Sequence, residues 1–173
     1  GLQDHSIDYD LSFVCFNNVN WIGNGLTIPA GPLREDIKNI KKYNHLFLNG
    51  NLENLDDLKK QIIMMNPKIN IHIAKYTPLN INEFNKQDKY LVFSGIGNHK
   101  TFISMIKEHG LNISKDLEFP DHYNYTHNKI NQILNQAENL SCKIITTEKD
   151  YMRLENNRID KIKFIKSELQ IID

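Results

Sequence analysis

Short apolar runs ending in turn-forming residues, alternating with stretches of helical periodicity, constrain this chain more than any other feature. Asp10–Phe16 (DLSFVCF) is rich in aromatic and β-branched residues and stops at Asn17-Asn18, His45–Leu48 stops at Asn49-Gly50, and Tyr90–Ser94 runs into Gly95-Ile96-Gly97. Runs this short and this apolar read as buried strands. Residues 36–43, between the first two runs, are expected to form a helix. Leu55, Leu58, Ile62 and Met65 then recur at helical spacing, and Pro67 marks where that helix has already ended. Phe102, Ile103 and Ile106 define another helix stopped by Gly110, and Ile130, Ile133, Leu134 and Ala137 define one over Thr126–Leu140 with Thr126 as N-cap. Lys143–Thr147 and Ile162–Ile165 are further strands. Parallel strands need long crossovers, which helices supply, so the alternation predicts an α/β fold with a mainly parallel sheet and flanking helices.

Ile69–Ala74 departs from the other runs because it alternates isoleucine with Asn70 and His72, leaving one face wet. Together with Pro78 and the polar stretch 82–89 it suits a connection better than the centre of a sheet. The expected organisation is an α/β domain over 1–66, linker strands over 67–88 and a C-terminal α/β domain over 89–173.

The formal net charge of the 173 residues is zero and no basic stripe offsets it, which removes the footprint expected of a nucleic-acid binder. Cys15 and Cys142 each lie in an apolar run and are expected to be small core residues of a reducing compartment, with no disulfide framework. No apolar run has the length that spans a bilayer, and the chain opens without the charged and apolar regions of a signal peptide. A soluble chain is expected, and its first residue, Gly and not Met, suggests a piece of something longer.

The stretch Gly23–Glu35 (GNGLTIPAGPLRE) is the densest in turn formers. Gly23, Gly25 and Gly31 permit positive φ, Pro29 and Pro32 fix φ, and Asn24 tolerates left-handed geometry, so this is a shaped loop. Lys and Arg together number 21, yet the arginines are only Arg34, Arg153 and Arg158. An Arg closing a glycine-rich loop suggests a need for the planar fork that grips phosphate or carboxylate bidentately. The neighbouring Glu35 is a candidate ligand for Mg²⁺. The alternative is a surface crossover with a solvated Arg-Glu pair.

Two histidine-containing motifs can carry chemistry. In Gly95-Ile96-Gly97-Asn98-His99-Lys100-Thr101 a glycine-rich turn opens a helix, but a P-loop needs GxxxxGK[ST] and His99 stands where the last glycine must be. The turn remains a candidate anion site, or a plain βα connection. Asp121-His122 pairs an imidazole with a carboxylate, the arrangement for moving a proton near neutral pH; the alternative is a loop histidine that merely caps a helix or binds water. His122 and His127 lack further ligands at matching spacing, so no zinc site is expected. Glu148, Lys149 and Asp150 sit at a strand end, where open α/β sheets face ligand crevices.

The loop GNGLTIPAGPLRE resembles a signature of the tetraacyldisaccharide 4'-kinases, the lipid A 4'-kinases of Gram-negative bacteria. Gly1-Leu2-Gln3, Gly95-Ile96-Gly97-Asn98, Phe119-Pro120-Asp121-His122 and Thr146-Thr147-Glu148-Lys149-Asp150 match in the order that family has them. His99 departs at a position where the family usually has proline. The resemblance covers the C-terminal part of a typical member and implies a P-loop NTPase-like fold, with 1–66 the remainder of the nucleotide- and substrate-binding domain. It implies transfer of the ATP γ-phosphate to the 4'-hydroxyl of a tetraacylated glucosamine disaccharide 1-phosphate, the lipid A precursor. ATP and Mg²⁺ are the implied cofactors, and an N-terminal P-loop half the implied partner. By resemblance His122 and Asp121 are catalytic, His122 pairing with an aspartate of that half; Gln3 and Glu35 lie near nucleotide and Mg²⁺; Arg34, Asn24 and Gly25 contact substrate. The implied location is the cytoplasmic face of the inner membrane, reached through an N-terminal hydrophobic helix. Without the P-loop half these residues are expected to be inactive alone. The rival expectation is a noncatalytic anion-binding or interaction module, a decayed kinase remnant.

Overall fold

The computed structural model describes residues 6, 9–50, 55–154 and 159–172. The chain divides into two compact units, one running to Tyr76 and resuming at Leu169, the other spanning Thr77–Glu168. Each has its own sheet and core.

In the first unit, β1 (Phe13–Asn17), β2 (His45–Asn49) and β3 (Asn70–Pro78) form a sheet in the order β1-β2-β3-β8, where β8 is Ser167–Ile171. β1 pairs β2 from Phe13↔His45 to Asn17↔Asn49, and β2 pairs β3 from His45↔Asn70 to Asn49↔Ala74, all parallel. The crossovers are a 3-10 helix, Ile37–Lys42, within the stretch expected to be helical, and α1 (Leu55–Met65). Asp36 caps the 3-10 turn by accepting from the Lys38 N–H at 2.8 Å. Leu46, Leu48, Ile73, Leu58 and Ile62 form the core with Val14, Phe16 and Ile71 packed against it. Each fully buried Leu or Ile there stabilises the unit by roughly 1.5–3 kcal/mol.

The expectation that the alternating run at 69–74 lies outside the centre of a sheet does not hold, because β3 is an interior strand between β2 and β8. Its polar face has neighbours of its own kind: the His72 and His45 rings stack at 5.1 Å, Phe47 lies 4.9 Å from His72, and Phe13 lies 5.6 Å from Phe47. Cys15 shares that face and is exposed, not a core residue as its apolar run suggested, while Cys142 is half-buried. The run around Cys15 is apolar on both sides of the strand, and only the side bearing Val14 and Phe16 packs on the core.

The second unit has four parallel strands in the order β5-β4-β6-β7: β4 (Lys89–Ser94), β5 (Asn112–Glu118), β6 (Lys143–Thr147) and β7 (Ile162–Ile165). Central β4 sends Tyr90 and Val92 into a cluster with Phe102, Ile103 and Ile106 of α2 (His99–Glu108). Its Leu91 and Phe93 enter a second cluster with Ile130, Ile133 and Leu134 of α3 (His127–Asn139). A parallel strand covered on both faces must read as a continuous apolar run, which is why YLVF was legible. Thr126 is the N-cap of α3, accepting from the Lys129 N–H at 3.3 Å. Sequence periodicity missed β5 and β8: NISKDLE and SELQI are mostly exposed edge strands, whose polar composition carries no burial signal. Leu117 and Glu118 end β5, directly before the Phe119–His122 motif. Among the described residues, no helix is long and apolar enough to cross a membrane.

Candidate functional site

In the second unit β4 leads through α2 to β5 on one side, and the chain then crosses by α3 to β6 on the other, so the β4/β6 junction is where strand order reverses. In open parallel sheets the crevice beyond the strand carboxyl ends at such a junction is the usual ligand site. The turn after β4 and the segment after β6 both open there. Asp150, in the short helix α4 (Glu148–Tyr151), ties them together. Its buried carboxylate accepts from the Gly95 N–H at 3.0 Å and from the Thr147 hydroxyl at 2.7 Å, through the same oxygen. Thr147 accepts in turn from the Asp150 N–H at 3.0 Å, capping α4.

Arg153 extends this network outward. One guanidinium nitrogen lies 3.5 Å from the other Asp150 oxygen and 3.4 Å from the Gly95 carbonyl, and the second lies 3.0 Å from His122 Nδ1. His122 has φ 60°, a left-handed conformation that costs on the order of 1–3 kcal/mol for a residue with a Cβ. Its N–H holds the turn by donating to the Gly95 carbonyl at 3.1 Å and to Asp121 Oδ1 at 3.0 Å. Asp121 also lies 3.7 Å from Lys149 Nζ. The Asp121 carboxylate and His122 Nε2 are 3.8 Å apart, within ion-pair reach but longer than a hydrogen bond. The predicted His-carboxylate pair is therefore adjacent, while the close contact to the ring comes from Arg153. The capping alternative for His122 is excluded, since Thr126 caps α3.

Beneath this surface cluster sits Tyr125, 1% exposed, its hydroxyl without a hydrogen-bond partner. Burial, then the charge of Asp150, pushes its phenol well above the ordinary range. A Cβ at Gly95 would lie 2.9 Å from that hydroxyl, so the turn can carry only glycine there. His99 faces inward: its Nδ1 lies 2.6 Å from the Ser94 hydroxyl and its Nε2 3.3 Å from Asp116, joining β4 to β5. Sequence reasoning passed over Arg153 and Tyr125. The rarity of arginine that drew attention to Arg34 applied equally to Arg153.

The first unit holds the glycine-rich loop. A bridge between Thr27 and Leu33 closes it, with Ile28 N–H donating to the Leu33 carbonyl at 2.8 Å. The Asn24 amide braces it from inside, donating to the Ala30 carbonyl at 2.9 Å and accepting from the Leu26 N–H at 3.1 Å. Gly25 has φ 76°, and a Cβ on Gly31 would lie 2.2 Å from Asn24 Oδ1 and 2.3 Å from the Leu26 carbonyl. The loop feeds a cavity of about 420 Å³ whose lining includes Phe16, Trp21, Arg34, Glu35, Asn39 and Tyr43. Arg34 is exposed. Glu35 is half-buried, its carboxylate accepting from the Asn39 amide at 3.2 Å and the Tyr43 hydroxyl at 3.4 Å. One braced carboxylate on a cavity wall fits Mg²⁺, which takes one or two carboxylates beside phosphate and water. No group of three or more His, Cys, Asp or Glu that could hold a metal occurs among the described residues. Gln3, the other residue predicted near Mg²⁺, lies outside the described residues.

Fold and site define an α/β protein with a charged cluster at a topological switch point of one sheet and a braced glycine-rich loop on the other. The family model described as Tetraacyldisaccharide-1-P 4'-kinase matches residues 1–173. A tetraacyldisaccharide 4'-kinase of Pelagibacter ubique is 58% identical over all of this chain and 55% of its own length. One of Rickettsia canadensis is 36% identical over 91% of this chain and 48% of its own length. The crystal structure of LpxK from Aquifex aeolicus in complex with ATP superposes with a TM-score of 0.57, covering 98% of this chain and 51% of that one. At 19% identity that likeness concerns the fold alone. The chain belongs to the tetraacyldisaccharide 4'-kinase family, and it spans about half the length of the relatives it matches.

Proposed function

We propose that these residues are the part of a lipid A 4'-kinase that supplies the acceptor-side and proton-handling groups, while an N-terminal half supplies the P-loop. The γ-phosphorus of ATP then forms a bond to the 4'-oxygen of the tetraacylated disaccharide 1-phosphate as its bond to the β,γ-bridging oxygen breaks, and the hydroxyl proton leaves to a base. His122 and Asp121 assist that deprotonation. Arg34 grips an anionic group of the lipid, with Asn24 and Gly25 shaping the loop that presents it. Glu35, with Gln3, would hold Mg²⁺, which supplies charge neutralisation on the phosphates. The enzyme works at the cytoplasmic face of the inner membrane, anchored by the other half.

The observation carrying this reading is His122, held in a left-handed conformation at the β4/β6 switch point by Gly95 and flanked by Arg153. A strained, buttressed histidine at a ligand crevice is what a catalytic role demands, and it argues against a decayed remnant. The test has two arms: the chain alone, given ATP, Mg²⁺ and the disaccharide, produces no phosphorylated lipid, and addition of the P-loop half produces it. Turnover by the chain alone, or none by the reunited halves, overturns the reading.

A further inference from the structure

Resting on that reading, we infer that Arg153 is a positioning residue that holds His122 in the tautomer with its hydrogen on Nε2, so that His122 acts as a hydrogen-bond donor through Nε2 and not as the atom that receives the substrate proton. A guanidinium has only donors. At 3.0 Å from His122 Nδ1 its N–H must meet a lone pair, so the neutral ring carries its hydrogen on the other nitrogen. That nitrogen lies on the Asp121 side of the ring, 3.8 Å from a carboxylate oxygen, a charge that favours a ring hydrogen there without a hydrogen bond to fix it.

Arg153 is itself fixed by a buried carboxylate and a backbone carbonyl. Its contacts to Asp150 and to the Gly95 carbonyl belong to a network whose centre, the Asp150 carboxylate, is fully buried and satisfied by the Gly95 N–H and Thr147 hydroxyl. Core and imidazole are thus joined by one side chain, from the end of β6 across to the end of β5. With Nδ1 engaged and Nε2 bearing hydrogen, the free ring face offers an N–H. The ring nitrogen that a neighbour engages sets which one can act, and a ring in the wrong tautomer loses rate while keeping its place.

The test reads the tautomer directly. The chain is labelled with ¹⁵N-histidine, the His122 signals are identified by their loss in His122→Ala, and spectra are taken where imidazole is neutral. The unsubstituted chain is expected to show Nδ1 without hydrogen and Nε2 with it; hydrogen on Nδ1 overturns the inference without need of any variant. Arg153→Met is expected to lose that single state for the mixture of a free imidazole, and Arg153→Lys to recover it in part. An unchanged tautomer in Arg153→Met overturns the inference. In the reunited enzyme Arg153→Met should lower kcat about tenfold with KM unchanged, a smaller loss than removing the imidazole. A fixed tautomer alongside undiminished kcat in His122→Ala would sink the catalytic reading and leave the tautomer assignment standing.

Discussion

The two candidate regions are ordered by different means. Around His122 the side chains hold one another: Asp150 is buried among three hydrogen-bonding partners and Arg153 is shared between it and the histidine. In the loop of the first unit the backbone is held, by Asn24, the Thr27–Leu33 bridge and the impossibility of a side chain at Gly31, while Arg34 extends into solvent. The difference suits the tasks proposed for them. Assisting a proton transfer requires an imidazole already aimed, because angular error falls directly on the barrier. Gripping a large anionic lipid tolerates a long side chain that finds its phosphate on binding.

The largest expected effect breaks or upholds that contrast at once. In the reunited enzyme His122→Ala should lower kcat by about 10²-fold or more, the usual scale for a positioned proton-handling group, with KM little changed and the thermal midpoint retained. His127→Ala is the control, since His127 opens α3 and is exposed. A lowered midpoint with unchanged kcat would show a structural histidine. Next comes stability: Asp150→Ala strands Arg153 and orphans the Gly95 N–H, so the second unit should lose about 3–5 kcal/mol by denaturant titration, the range for breaking a buried charge pair. Glu35→Ala should leave the first unit's midpoint nearly unmoved yet weaken Mg²⁺ dependence of turnover. Equal destabilisation by both variants would erase the contrast. Arg34→Lys keeps the charge and loses the fork, so a severalfold rise in KM for the disaccharide is expected with the fold intact; identical kinetics would take Arg34 out of the substrate site.

The parts legible in sequence were those whose burial is periodic. YLVF of β4 and the Ile130–Ala137 stripe of α3 declared themselves because they pack on two and one apolar faces respectively. β5 and β8 did not, because an exposed edge strand is stabilised by backbone ladders that any polar sequence can make. Asp121-His122 was legible as a pair by adjacency alone, and its resemblance to a family motif is what suggested the role proposed for it. Arg153 was not, because it lies 31 residues from His122 in sequence and meets it only when the sheet brings the ends of β5 and β6 to one edge. Cys15 was misread since a strand apolar on both sides does not say which side faces the core.

The smallest effect tests the floor of the site. Tyr125 buries a hydroxyl with no hydrogen-bond partner, and an unsatisfied buried polar group costs about 1–3 kcal/mol that its removal returns. Tyr125→Phe keeps the ring against Phe93 and Phe119, at centroid distances of 5.3 and 5.4 Å, so stability at neutral pH should be unchanged or higher by about 1 kcal/mol. At alkaline pH the difference should widen. Burial and the Asp150 charge raise the folded-state pKa of this phenol above its unfolded value, so its protonated form is favoured by folding. That contribution is fully present below the unfolded pKa of about 10 and is lost as pH rises towards the raised folded value, because the unfolded chain releases the proton first. Phenylalanine has nothing to release. Unfolding free energies of both proteins, measured from neutral pH to above the tyrosine range, should therefore diverge in favour of Tyr125→Phe. Parallel curves would mean that the hydroxyl is solvated, and a Tyr125→Phe variant less stable at neutral pH would mean that it has a partner, the nearby Asp150 carboxylate, on which the site depends.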